Sequence, residues 1–136
     1  MKIVGSKKLI KQLGDLPDVT HAALRKSIKN NAKYGERKAK SLVPVDTKTG
    51  SGKTKAGISS NVYEDKNAIY GFINFNDGTK DDAIRIASIN YGREKGDRGT
   101  TFGYGFIQTT KLLVAKRSSN SIKRIMKKAI KDAMNG

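Results

Sequence analysis

The chain has 136 residues, no cysteine, one histidine, and 28 Lys and Arg against 12 Asp and Glu, for a formal net charge of +16. That length suits one domain with a modest core rather than two. The composition excludes a disulfide framework, a thiolate metal site and a His cluster, and the charge calls for an anionic partner or setting, such as nucleic acid or an acidic protein surface.

The opening residues, Met1-Lys2-Ile3-Val4-Gly5-Ser6-Lys7-Lys8, lack the long apolar core of a signal peptide. No window reaches the apolar length of a membrane span. The chain is therefore expected to be made and used in a cytoplasm, or assembled there into something larger. Leu9, Ile10, Leu13 and Leu16 form a short helical pattern broken by Gly14, so residues 1–16 read as an arm or short helix. Pro17 followed by Asp18 signals a new helix start. From there Val19, Leu24, Ile28, Ala32, Gly35, Ala39 and Leu42 recur at steps of three to five, with Lys26, Lys29, Lys33, Arg37 and Lys40 elsewhere. This predicts an amphipathic helix of ~25 residues, about 37 Å long. Small residues in its stripe (Ala32, Gly35, Ala39) suit close packing against another element. His21 reads as a polar residue near the helix start. The helix stops at Val43-Pro44, because the residue before proline is pushed out of the α region.

Next comes Val45-Asp46-Thr47-Lys48-Thr49-Gly50-Ser51-Gly52-Lys53-Thr54, whose end looks like a phosphate-binding P-loop. The pattern needs a first glycine where Thr47 stands, a buried strand before it and a helix after it. Leu42 to Val45 is too short for a core strand and contains Pro44. Downstream, Ile58, Ser60 and Val62 alternate as a strand would. Residues 46–56 are thus read as a Gly- and Lys-rich loop rather than a nucleotide site.

Residues 57–63 and 68–75, joined by Glu64-Asp65-Lys66-Asn67, predict a hairpin. Its second strand puts Ile69, Ile73 and Phe75 on one face and Tyr70 and Phe72 on the other, so both faces are expected to find apolar cover. After a turn at Asn76-Asp77-Gly78-Thr79, residues 81–91 predict a short helix with Ala83, Ile84, Ala87 and Ile89 or Tyr91 turned inward. A second Gly-rich basic loop spans 92–105, with a hairpin expected through residues 100–104. From Phe106 onward the pattern is helical in two pieces, with Ser118-Ser119-Asn120 as a kink or cap between them. Lys123, Arg124, Lys127, Lys128 and Lys131 cover the outer face of the second piece. The fold class is therefore α+β: long N- and C-terminal helices packed on a small antiparallel sheet, with a short helix between strands. Residues 1–136 form a single domain, with a core over 17–136.

No catalytic constellation emerges. The acids scatter through turns and loops, and adjacent Asp81 and Asp82 point about 100° apart on a helix, where they favour its N-terminal dipole. With one histidine and no nucleophile elbow, no triad can be assembled. The chain is expected not to be an enzyme, with no catalytic residue, cofactor or metal. Aromatic residues make up only 7% and do not interleave with the basic clusters in sequence, which weakens a single-strand-binding reading.

Several short motifs, in order, carry a resemblance: Val43-Pro44-Val45-Asp46-Thr47 then Gly50; Ala87-Ser88-Ile89-Asn90-Tyr91-Gly92; and Gly105-Phe106-Ile107 entering the last helix. Together they resemble the neck or tail-completion family of long-tailed double-stranded DNA bacteriophages, over about residues 19–134. The sequence departs from the family pattern in the two residues between Thr47 and Gly50, in the longer loop, in Asn90 where an acid is usual, and in Gly105 where a proline is common. The resemblance implies a structural virion protein of the head–tail junction, assembled in the host cytoplasm as a homo-oligomeric ring, commonly hexameric. Its partners would be copies of itself and neighbouring head-closure or connector, tail-terminator or tail-tube proteins, with DNA passing through without sequence-specific binding and no membrane involved. Lys48, Lys53, Lys55, Tyr91, Arg93, Lys95 and Arg98 are the expected ring-interface residues, and Lys123, Arg124, Lys127, Lys128 and Lys131 the expected partner-facing helix. Two alternatives stand beside this: a tail-terminator ring capping the tail tube, and a small basic nucleic-acid-binding protein.

Overall fold

A computed structural model describes residues 2–6, 18–43, 51–66, 68–76, 78–93, 101–103 and 105–135. In chain order its elements are strand β1 (Lys2–Ser6), helix α1 (Asp18–Leu42), helix α2 (Ser51–Gly57), strands β2 (Ser59–Glu64) and β3 (Ala68–Asn74), helix α3 (Lys80–Tyr91), the two-residue strands β4 (Gly92–Arg93) and β5 (Thr101–Phe102), and helix α4 (Phe106–Asn135). The architecture is α+β.

Helix α1 has the expected length, and its stripe of Leu24, Ile28, Ala32, Ala39 and Val43 is buried. It lies along one face of an antiparallel sheet of order β1-β3-β2. Ile69 and Ile73 point from β3 into that layer, and Gly71 between them lets the helix approach, since a Cβ there would meet Ile28 Cγ2 at 3.0 Å. Burying Ile28 and Ile69 completely stabilises by about 1.5–3 kcal/mol each. On the other side of α1 runs α4. Gly35 is where the two helices and the sheet converge: an added Cβ would collide with Ile73 Cδ1 and sit 2.8 Å from Val114 Cγ2. Close packing at the small-residue stripe is therefore real.

Helix α4 is antiparallel to α1, because Ser27 and Asn31 meet Ser121, while Gly35 meets Val114. It is one continuous helix, not the two pieces expected. Ser118 is buried, and Ser121 donates to the Ser118 carbonyl at 3.0 Å while accepting from Ser27 Oγ at 3.0 Å and Asn31 Nδ2 at 2.9 Å. Ser121 is thus a small polar contact between the helices, and Ser118 is buried beside it with its hydroxyl unpartnered among the described residues, so neither acts as a cap. Asn31 also accepts from Arg117 Nε at 3.2 Å, whose guanidinium stacks 4.3 Å from the Tyr34 ring centre. The hydrogen-bonded set of Ser27, Asn31, Arg117 and Ser121 fixes which residues face each other.

Two further expectations change. Residues 2–6, within the segment read as an arm or short helix, form a strand paired with β3 from Lys2↔Phe72 to Ser6↔Ala68; the helical pattern over 7–16 lies outside the described residues. Within the segment read as a loop, Ser51–Gly57 is a short helix. Thr54 and Ile58 are buried, so packing of this turn overrides its Gly- and Ser-rich composition. The end of the P-loop-like stretch, Ser51–Thr54, therefore does open a helix, but among the described residues the element before it is α1 rather than a strand, and residues 44–50 lie outside the described set.

The hairpin forms as expected, closed by Asp65 N–H donating to the Ala68 carbonyl at 3.0 Å and Ala68 N–H to Asp65 Oδ1 at 2.9 Å. Its second face carries Tyr63, Tyr70 and Phe72 as a ladder of rings spaced 6.1 and 6.3 Å. No described helix packs on that face, so the expected cover on both sides is met on one side only, the other being screened by the rings themselves. The hairpin expected near residues 100–104 appears as Gly92↔Phe102 and Arg93↔Thr101.

Candidate assembly surfaces

Helix α3 turns large apolar side chains to solvent. Thr79 caps its start, accepting the Asp82 N–H at 3.3 Å. Its buried residues are Asp82, Ile86 and Asn90, one stripe at i, i+4 and i+8. Asp82 is 2% exposed and bound by Arg85 at 2.9 Å, so its charge is matched within the helix's first turn. Asn90 reaches the next helix. Gly105, at φ +59°, occupies the N-cap position of α4, its carbonyl accepting from Thr109 N–H at 3.0 Å. A glycine there has no side chain to cap with. Asn90 supplies the cap instead: its Oδ1 accepts the Ile107 N–H at 2.9 Å and its carbonyl accepts the Gly105 N–H at 2.9 Å.

With two polar residues turned inward, the apolar side of α3 faces out. This corrects the expectation that Ala83, Ile84, Ala87 and Ile89 or Tyr91 point inward: Ala83, Ile84, Ala87 and Tyr91 are exposed, Ile84 by 56% and Tyr91 by 68%, and of the five only Ile89 packs against the core. Periodicity detected the apolar stripe correctly but not which side of the helix the core takes. The spacing of Asp82, Ile86 and Asn90 was the available signal, and polar identity hid it.

The expected ring-interface residues distribute around this helix. Tyr91 ends the exposed stripe of α3, and Lys55 is exposed on α2, which packs against α3. Lys53 belongs to α2 and Arg93 to β4, the strand that continues directly from α3. Lys48, Lys95 and Arg98 lie outside the described residues. Those that are described thus fall on adjoining elements.

The second predicted surface is the back of α4. Lys123, Arg124, Lys127, Lys128 and Lys131 are all exposed, opposite the buried or half-buried Ile122, Ile125 and Ala129. None of the five makes a salt bridge among the described residues. Leu112 and Met134 add exposed apolar side chains on the same helix. His21, expected to be an ordinary polar residue, ties α1 to β2 through Glu64 at 2.7 Å, where Arg25 joins at 3.4 Å. Among the described residues no three His, Asp or Glu side chains are grouped to hold a metal, and no helix is long and apolar enough to cross a membrane.

Compared with protein-family models, with curated proteins and with solved structures, the chain matches none.

Proposed function

We propose that the chain is a structural protein of a bacteriophage head–tail junction, acting without catalysis as one subunit of a homo-oligomeric ring, hexameric in its family's usual form. The observation that carries this reading is the outward apolar stripe of α3. A helix that buries Asp82 and Asn90 while leaving Ile84 and Tyr91 in water is poorly arranged for a monomer and well arranged for a subunit. In a ring, that stripe, with Lys53, Lys55 and Arg93 beside it, packs against the neighbouring subunit. Lys48, Lys95 and Arg98, which lie outside the described residues, are assigned to the same contact from the sequence alone.

The motif order in the sequence supplies the virion setting. The tail-terminator ring shares the same architecture and differs in position alone. The basic back of α4 faces outward or toward acidic surfaces of adjacent rings, because a lumen dense in Lys would hold the passing DNA through many phosphates. Electron microscopy of purified particles tests the reading. Density for this chain should appear as a ring between head and tail. Particles that lack the chain would contradict it, and density directly on the tail tube would favour the terminator. Steeply salt-dependent binding of the purified chain to duplex DNA, with no place in particles, would favour the nucleic-acid-binding alternative.

A further inference from the structure

We propose that the outer edge of β2 and the basic flank of α1 form a docking groove for an acidic segment in extended conformation, supplied by a different protein. This goes beyond the ring reading and does not depend on it. The order β1-β3-β2 leaves β2 at the margin of the sheet. The Asp65–Ala68 bond that closes the hairpin sets the phase of the ladder. The pairs Tyr63↔Tyr70, Asn61↔Phe72 and Ser59↔Asn74 then exchange bonds across the hairpin. Ser60 and Val62, between them, turn their N–H and C=O groups away from β3. No described residue bonds those groups, so the edge is ready to accept another strand.

A cleft of ≈ 270 Å³ runs beside this edge. Ser60, Asn61 and Val62 form one wall, Arg25, Lys29 and Lys33 the other, and Ala32 lies between. The cations stand at i, i+4 and i+8, about 6 Å apart along the helix. Alternate residues of a strand are about 6.6–6.8 Å apart. A strand added to β2 therefore brings every second side chain near one cation. Arg25 already shares Glu64, whereas Lys29 and Lys33 make no salt bridge among the described residues. The fit is to a segment with Asp or Glu at alternate positions, held by main-chain bonds and selected by charge.

The occupant is not a second copy. The 12 acids of this chain nowhere alternate three in a row. Nor is it nucleic acid, since a phosphate backbone offers acceptors but no donors for the outward carbonyls of Ser60 and Val62, whereas a peptide offers both.

A labelled Thr-Glu-Thr-Glu-Thr-Glu-Thr peptide, titrated into the full chain and followed by fluorescence anisotropy, tests this. Binding should weaken at least about tenfold in Lys29→Glu/Lys33→Glu, whose two positions are exposed and outside the core. Hydrogen exchange should slow at the Ser60 and Val62 amides, and N-methylating alternate peptide bonds of the ligand should abolish binding. The proposal is overturned if a block peptide of the same composition binds equally, if the double variant binds unchanged, or if a thymidine oligonucleotide of equal charge displaces the peptide while the edge amides stay unprotected.

Discussion

Asn90 caps a helix to which it does not belong, and so couples α3 to the start of α4. Its Oδ1 takes the Ile107 N–H and its carbonyl the Gly105 N–H at the start of α4, where Gly105 has no side chain to offer. Asn90→Ala should lower stability by about 1–2 kcal/mol, the usual range for a lost cap, measured by urea unfolding at neutral pH. Glu36 is the residue with a readable pH dependence. Lys40 Nζ donates to it at 2.7 Å and Ser60 Oγ at 2.6 Å. These hydrogen bonds, the Lys40 one first, hold its pKa below the ordinary 4.5. A depressed carboxylate contributes stability that is fully present above its ordinary value and lost as pH falls through the folded one. Thermal unfolding should therefore show Glu36→Gln less stable than the parent at pH 7, with the gap closing as pH drops below about 4. A gap that persists undiminished at pH 2–3 would mean that Glu36 acts through packing instead.

The elements differ in how far the sequence exposes them. Helix α1 was legible almost to the residue, because its apolar stripe persists over seven turns and a proline follows it. The hairpin was legible because both strands alternate around a polar turn. Strand β1 was not, since five residues containing a glycine become a strand only by pairing with β3, some 66 positions away in sequence. The continuity of α4 was hidden because Ser and Asn usually favour helix ends. Here Ser121 instead meets Asn31 and Ser27 at a helix contact, and buried Ser118 gives it a carbonyl acceptor. The candidate surface was half legible: the stripe of Ile84, Ala87 and Tyr91 could be read, but its direction depends on burying Asp82, matched locally by Arg85, and on Asn90 reaching the start of α4, a partner only the fold provides. That reversal is also what gives α3 its proposed role. Replacing Ile84 and Tyr91 with lysine should leave the fold intact, because neither side chain is in the core.

For the whole molecule, three surfaces follow from one arrangement. The two long helices and the sheet bury a shared core, which leaves α3's apolar side, the basic back of α4 and the edge of β2 facing outward. A net charge of +16 makes copies of the chain repel one another at low salt. Assembly should therefore strengthen as salt screens that repulsion, in contrast to binding of DNA, which salt weakens. The most direct measurement is light scattering coupled to size exclusion at physiological salt over a range of concentrations, for the parent chain and for Ile84→Lys/Tyr91→Lys. The account predicts a parent mass several times 14.9 kDa, about sixfold for a hexamer, and a folded variant at 14.9 kDa. A parent that stays at 14.9 kDa throughout, or a variant that assembles as the parent does, would contradict it.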